Sequence, residues 1–337
     1  MSKLRVAVVI PVYNRRDLLI RLLERLAAST YPIEQIVVVD NGSQDGAPEA
    51  AEQRGALVIR MGSNTGFARA VNQGIAECRT EAIALVNSDV EPEPDWLEKL
   101  AIALEAPDVW FATGKILSAQ DHARIDGAYD RVCRGGTAWR VGHARLDSPV
   151  FSTRQTIWSA SATCALYKTE LFRLLGTFDE RLESYLEDVD FSLRCARAGL
   201  SGIYLPEAVA YHVGSASLGR WHPQTVWRIA RNQVCLLAKH YPSRLLIRYF
   251  WSIVVAQGLW VLVACRHGRS WAAIRGKLSG LRQFRRFRAL HWTQKEPEDR
   301  LRDILSQGER EIRLIQQKTG FDLYWRMYFL LTGGGAN

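Results

Sequence analysis

A chain of 337 residues, 47% hydrophobic and 23% charged, can bury a full core, and that balance is ordinary globular composition that excludes a disordered protein. Its six cysteines are scattered without a CxxC pair, which argues against a zinc site or disulfide framework and for a reducing compartment. The net charge of +9 is unevenly placed: Ala208 to Lys295 holds fifteen Lys and Arg, no Asp or Glu, and six of the eleven tryptophans, a block suited to a polyanion or an anionic membrane surface.

The apolar run before Pro11, Val6–Ile10, is only five residues long, too short for a signal peptide. Arg5–Ile10 reads as a buried first strand with Pro11-Val12-Tyr13-Asn14 as its exit. Asn14 is placed to cap the next helix, whose Leu18, Leu19, Leu22, Leu23 and Leu26 follow a 3.6-residue period. Gln35–Val39 is a second strand ending in Asp40-Asn41-Gly42-Ser43. Leu57–Arg60 is a weaker third, followed by Asn64-Thr65-Gly66 and a helix through Asn72. Ala82–Val86 is a short apolar strand that stops abruptly at Asn87-Ser88-Asp89. This alternation predicts a parallel sheet with helices on both faces, where ligands bind at the carboxyl ends of the strands. Neither GxGxxG after the first strand nor GxxxxGK[ST] occurs. A nucleotide would therefore be held by side chains at strand ends, with Tyr13, Asp40 and Asp89 as candidates.

Farther on, Gly176 and Phe178-Asp179-Glu180 form a turn, and Tyr185–Ala198 reads as a helix with Gly199 just past its end. Val189 and Leu193, four apart, can bury one side of it, while Glu187 and Asp188 fall in the first turn, where the macrodipole favours acids. His212 follows the short run Val209–Tyr211. Tyr249–Cys265 is then free of charge for 17 residues, at the lower limit for spanning a bilayer. Arg266–Arg288 carries eight Lys and Arg among Trp271, Ile274, Leu278, Leu281, Phe284 and Phe287, the make-up of an interfacial helix. Glu298–Lys318 puts Leu301, Ile304, Leu305, Ile312 and Ile315 on one face, as a helix facing a partner does, and Phe321–Leu331 is again apolar.

Six stretches, in order, resemble family 2 glycosyltransferases of the GT-A fold, most of all bacterial rhamnosyltransferase-type members. They are VVIPVYNR (8–15), IVVVDNGSQDG (36–46), NTGFARAVNQGI (64–75), LVNSDVEP (85–92), GTFDERLESYLEDVDFSLRCARAG (176–199) and AYHVGSAS (210–217). The resemblance covers about two thirds of the chain. It implies an α/β GT-A (nucleotide-diphospho-sugar transferase) fold with a mainly parallel central sheet, a nucleoside-diphosphate sugar donor, a divalent cation (Mg²⁺ or Mn²⁺) and inversion at the anomeric carbon. Carried over by position, Pro11, Tyr13 and Asn14 match the segment lining nucleobase and ribose. Asp40 matches the carboxylate that reads the base, and a carboxylate accepts from a pyrimidine imide N–H. Asn64, Gly66, Arg69 and Asn72 lie on the segment facing donor sugar and diphosphate. Asn87-Ser88-Asp89 occupies the DxD position, so Asp89 is the expected metal ligand, and Asn87 departs from the pattern by bringing no charge. His212 matches a second metal ligand. Asp188 matches the catalytic base that takes the acceptor hydroxyl's proton, with Glu187 as the alternative. Asp126-Gly127 and Trp158–Cys164 echo family positions loosely and stay outside the expected site; the 114–167 region is expected to hold acceptor-side loops and a strand.

The expected organisation is a catalytic domain over 1–240 and a helical, basic, aromatic-rich extension over 241–337 that associates with a membrane or forms a homo-oligomer. The resemblance points to dTDP-rhamnose as donor, then a UDP-sugar. It points to a saccharide or lipid-linked saccharide acceptor in bacterial cell-surface polysaccharide synthesis, and to a cytoplasmic enzyme on the inner membrane face with no nucleic-acid partner. Two other classes stay open: a sugar-nucleotide nucleotidyltransferase, which would want a Gly- and basic-rich loop after the first strand, and a non-enzymatic membrane- or polyanion-binding protein. PVYNRRD supplies the basic residues of such a loop but no glycine.

Overall fold

The computed structural model describes residues 3–214, 221–289 and 298–333. The 215–217 end of the last matching motif, and Arg220, Trp292 and Lys295 of the acid-free block, lie outside them. The chain divides into two compact units. One comprises 1–129, 142–195 and 199–217, the other 130–141, 196–198 and 218–337.

In chain order the first unit contains β1 (Val6–Val12), α1 (Arg16–Ala27), β2 (Gln35–Asp40), α2 (Ala47–Glu52), β3 (Leu57–Arg60) and α3 (Phe67–Glu77). These are followed by β4 (Ala82–Val86), β5 (Val90–Pro92), α4 (Trp96–Leu104), β6 (Val109–Ser118) and β7 (Ile125–Gly127). After β8 (Asp130–Val132) and β9 (Ala138–Arg140), a hairpin of the second unit, come β10 (Gln155–Ile157), β11 (Cys164–Lys168), α5 (Thr169–Leu175), α6 (Glu187–Ala198) and β12 (Ser201–His212). The sheet runs β10-β12-β6-β11-β4-β1-β2-β3, with β5 on β12 and β7 on β6. Strands β4, β1, β2 and β3 are mutually parallel, β11 is antiparallel to β4 and β6, and β6 and β12 are parallel to each other.

Both faces of β1 are covered, as an all-apolar strand requires. Val6, Val8, Ile10 and Val12 enter one core with Leu19, Leu22, Leu23 and Leu26 of α1 and Leu97, Leu100 and Leu104 of α4. On the other face α3 lies so close that a Cβ on Gly74 would stand 2.4 Å from Val9. Pro11 sits in β1 beyond the last pair with β4, Val9–Leu85, where a missing N–H breaks no bond to that strand. The structure therefore agrees with the expected strand–helix alternation, and the ends differ by a residue or two.

Two local expectations fail. Asn14 does not cap α1: it and Arg15 are left-handed (φ 58° and 64°), and Asn14 Oδ1 instead accepts from Gln44 N–H at 3.0 Å. The first amide of α1, Arg16 N–H, goes to Asp45 at 2.8 Å, so a neighbouring loop does the capping. The helix expected from Tyr185 begins at Glu187, because Tyr185 and Leu186 take positive φ (72° and 68°).

The second unit holds α7 (Pro223–His240), α8 (Ser243–Arg248), α9 (Phe250–Arg266), α10 (Ser270–Arg288), α11 (Glu298–Thr319) and α12 (Leu323–Thr332). Helices α7 and α10 touch backbone to backbone: a Cβ on Gly276 would stand 2.4 Å from Trp227 O, and one on Gly280 2.7 Å from Arg231 O. Two glycines four apart thus make a smooth stripe on α10 that a partner helix can approach. The β8–β9 turn is held by Glu309 of α11, which accepts from Arg134 at 2.6 Å and from Tyr328 Oη at 2.9 Å. Among the described residues no helix is long and apolar enough to cross a membrane.

Candidate active site

Parallel strands β4, β1 and β2 end on one edge, and that edge gathers the expected site residues. Val12 pairs with Asp40, so Tyr13 and Asn14 leave β1 beside the end of β2. Strand β11 runs the other way, which brings the residues before Cys164 to the same edge: Cys164 pairs with Val86, and Asn87 N–H donates to Thr163 O at 2.9 Å. His212, the last residue of β12, pairs with Val90 of β5 and Ser118 of β6.

At the β2 end Asp40 is 4% exposed, and its Oδ1 accepts from Ser43 N–H at 2.9 Å. A cleft of about 470 Å³ opens there, lined by Asp40, Gly42, Ser43, Gln44 and Arg60 among others. Tyr13, just past the end of β1, is exposed. Asn14 N–H donates to Ser43 Oγ at 2.7 Å, locking the two loops together.

The segment before α3 is built by side-chain amides. Asn41 Oδ1 accepts from Thr65 N–H at 2.8 Å and Asn64 Oδ1 from Gly66 N–H at 3.1 Å. Gly66 takes a positive φ (91°), and a Cβ on it would come within 2.9 Å of Glu183 O, so glycine is required twice over. The first two amides of α3, of Phe67 and Ala68, go to Ser184 Oγ (3.0 Å) and Glu183 O (2.9 Å). Asn72 is buried and makes three bonds to the following loop: Nδ2 to Phe178 O (2.9 Å) and Glu180 Oε1 (3.1 Å), and Oδ1 from Phe178 N–H (3.0 Å). Arg69 is exposed, 4.0 Å from Glu180. Of the residues expected to face the donor, Asn64 and Asn72 thus spend their amides on the fold. What they hold is the 178–186 strap, whose residues Glu183, Tyr185 and Leu186 take positive φ.

That strap delivers Glu187 and Asp188. Glu187 is buried and Asp188 half-buried. Asp188 Oδ2 accepts from the Ser161 hydroxyl at 3.2 Å and from Ala162 N–H at 3.4 Å, while Oδ1 accepts from Val189 N–H at 2.9 Å. Three donors aimed at one carboxylate fix its orientation against the start of β11.

At the β4 end His212 bridges two carboxylates. Its Nε2 is 3.3 Å from Asp89 Oδ1 and its Nδ1 is 2.8 Å from Asp126 Oδ2. Burial alone would lower the imidazole pKa, but the hydrogen bonds to Asp126 and Asp89 outweigh it and push it up to about 9. Asp126 lies on β7, and its backbone carbonyl is 2.8 Å from His143 Nδ1. A carboxylate on the far nitrogen of an imidazole is the arrangement that orients a metal-binding histidine. Nearby, Asn87 Oδ1 is buried and has no hydrogen-bond partner. Among the described residues no three His, Cys, Asp or Glu side chains form a ready cage for a metal. The Asp89–His212 pair, with the unpaired Asn87 amide oxygen two residues before Asp89 in the chain, nonetheless suits a cation whose remaining ligands come from a diphosphate and water. Asp126 and Ser161 are the two members of this edge that the sequence left outside the site. Their only signals were Asp126-Gly127 and the WSASATC stretch, and nothing in the chain shows that Asp126 meets His212 across 86 residues.

A mainly parallel sheet with a carboxylate–histidine pair and a separate, oriented carboxylate at its carboxyl edge is the arrangement that the resemblance to GT-A sugar transferases implies. The model of the family "Glycosyl transferase family 2" matches residues 7–176, half of the chain, and the chain belongs to that family. It is 30% identical over 242 residues to the N-acetylglucosaminyl-diphospho-decaprenol L-rhamnosyltransferase of Mycobacterium tuberculosis, covering 63% of this chain and 77% of that one. It is also 30% identical over 244 residues to the uncharacterized protein y4gI of Sinorhizobium fredii, covering 67% of this chain but only 26% of that much longer one. Among solved structures, the mannosyltransferase PcManGT of Pyrobaculum calidifontis, in complex with GDP-Man and Mn²⁺, superposes with a TM-score of 0.53 at 20% identity. The match covers 100% of this chain and 89% of that one, a likeness of fold. Family membership places the chain among sugar transferases and leaves the nucleotidyltransferase and purely binding readings without support.

Proposed function

We propose that this chain is an inverting glycosyltransferase that moves a sugar from a nucleoside-diphosphate donor to a hydroxyl of a saccharide or lipid-linked saccharide. The observation that carries the reading is the separation of roles along one sheet edge. The Asp89–His212 pair lies at the end of β4 and β12, and the oriented Asp188 carboxylate lies at the start of α6. Asp188 takes the proton as the acceptor oxygen attacks the anomeric carbon; the bond to the diphosphate breaks on the opposite face and the nucleoside diphosphate leaves. One displacement inverts the configuration. Asp89 and His212 Nε2 would hold a divalent cation, Mg²⁺ or Mn²⁺, which neutralises charge on the departing diphosphate. To hold such a cation His212 would present Nε2 without its proton, and Asp126 would accept from the proton on Nδ1. Asp40 and the exposed Tyr13 frame the nucleobase, Pro11 and Asn14 its approach, and Arg69 and Ser88 lie toward the sugar and phosphates.

The likeness to a rhamnosyltransferase supports dTDP-rhamnose as first donor, with a UDP-sugar second, and supports a polyprenyl-diphosphate-linked acceptor in cell-surface polysaccharide synthesis. The basic, tryptophan-rich second unit supports peripheral attachment to the inner membrane face. A panel of nucleotide sugars, followed for nucleoside diphosphate release with and without Mn²⁺, tests the donor and the metal together. Metal-dependent release from dTDP-rhamnose alone fulfils the reading, and release from none, or without regard to metal, refutes it.

A further inference from the structure

In the second unit, α7, α9 and α10 enclose a groove of about 570 Å³, in the size range of small-molecule sites. Its lining is almost wholly apolar, with Leu237, Ile253, Val254 and Phe284 among its walls, and with Phe250 and Leu281 exposed at 65% and 57%. Among the described residues the single charged group in that lining is Lys277. Its ammonium donates to the amide oxygens of Gln233 and Gln257 and lies 5.5 Å from the centre of the Trp260 ring. Gln257 is held in that sense because its Nε2 donates to Gly135 O at 2.9 Å. Among the described residues no carboxylate pairs with Lys277, and the stretch 208–295, which supplies α7, α8, α9 and α10, contains no Asp or Glu. A cation enclosed in hydrocarbon is costly without a counter-charge, and neutral amides supply only part of it.

A second feature is an exposed glycine on the groove's wall. Gly258 stands in the middle of α9, where glycine is the poorest helix former after proline, and a Cβ built on it meets nothing within 4 Å. The position lines the groove, so the absent side chain leaves room along its wall.

We infer that this groove binds one hydrocarbon chain of a phosphate-headed lipid, with the apolar walls taking the chain and Lys277 the phosphate. The inference rests on the lipid part of the function proposed above, and it assigns that lipid a place in the second unit. Charge complementarity selects the occupant. A neutral hydrocarbon would leave Lys277 without a counter-ion, and a cationic lipid would oppose it.

The probe is a series of n-alkyl phosphates from hexyl to dodecyl, kept below their aggregation limits and titrated into the full chain by calorimetry. Removing one methylene from water is worth about 0.8 kcal/mol, or about fourfold in affinity. Saturable one-to-one binding should therefore tighten about fourfold per methylene and level off once the groove is full. Gly258→Leu enters open space, so the protein folds, and it should weaken decyl phosphate at least tenfold. Lys277→Met should keep chain-length dependence but lose about tenfold of the preference for the phosphate over the alcohol of equal length. Affinity independent of chain length, or unchanged by Gly258→Leu, overturns the groove; an undiminished phosphate preference in Lys277→Met overturns the assignment of the headgroup. Flotation with anionic liposomes separates this from the membrane reading. Alkyl phosphate binding without flotation sinks only the attachment to a bilayer, and flotation without alkyl phosphate binding sinks only the groove.

Discussion

The proposed function gives different work to two carboxylates that the same sheet edge presents, and single substitutions separate them. Asp188, oriented by Ser161, Ala162 and Val189, is the proposed proton acceptor. General-base catalysis contributes about 10²–10⁴ in rate. Asp188→Asn should lower kcat by at least about a hundredfold while the calorimetric affinity for nucleoside diphosphate stays near that of wild type. A comparable loss in Glu187→Gln with a mild Asp188→Asn would exchange the two roles. Asp126 is instead expected to act through His212. It should not touch substrate, but it fixes the imidazole at 2.8 Å, and loss of such a partner typically costs about 10–100-fold in metal affinity. Asp126→Asn should therefore raise the Mn²⁺ concentration at half-maximal nucleoside diphosphate binding by about that factor, with kcat at saturating metal little changed. An unaltered metal requirement would reduce Asp126 to a fold residue.

At the scale of elements, the decisive join is between α3 and the strap that leads into α6. Asn72 spans it with three hydrogen bonds to Phe178 and Glu180, and Phe67 and Ala68 give their amides to Ser184 and Glu183. Removing the Asn72 amide leaves the buried Phe178 N–H and C=O unpaired, a loss of about 1–3 kcal/mol. Asn72→Ala should lower the denaturant midpoint accordingly, with an unchanged slope. Turnover should fall as well, because Glu183, Tyr185 and Leu186 hold their positive-φ conformation only while the strap is pinned. A variant as stable as wild type would show that the clamp contributes nothing. The motif NTGFARAVNQGI was legible as a unit in the sequence, but its division of labour was not. Local pattern shows that a helix begins after Gly66, and only the folded chain shows that its first amides are already taken.

For the whole molecule, the buried charge in the second unit makes a prediction of definite sign. Burial lowers the Lys277 pKa from the ordinary 10.5 to about 7. Below about pH 7 both folded and unfolded chains carry the proton and the folded state bears the full desolvation cost. Between about pH 7 and 10.5 the unfolded chain binds more protons, so this group makes stability rise with pH. Lys277→Met removes the group. Its stability advantage over wild type, read from denaturant midpoints, should be greatest at the acid end of the range, near neutrality and below, and shrink as the pH approaches 10.5. A constant gap across that range would mean that Lys277 titrates normally.

Apolar runs such as Val6–Ile10 and Ala82–Val86 determine by themselves that there are strands, because a continuous apolar stretch of that length must be buried on both faces. The polar residues that end them, Asp40 and Asn87-Ser88-Asp89, mark the functional edge for the same local reason: the chain leaves the core there. The acid-free stretch likewise marks a basic helical region through its composition and periodicity alone. Tertiary structure decided what meets what. Asn14 turns from the α1 cap to the loop after β2, and Asp45 takes the Arg16 amide in its place. Asp126 comes to His212 because β7 pairs with β6 and β6 with β12. Ser161 comes to Asp188 because β11 runs antiparallel to its neighbours. A sequence records the propensity of each segment, whereas pairing across 27 or 86 residues is fixed by strand order and direction, which emerge only when all segments compete for one core.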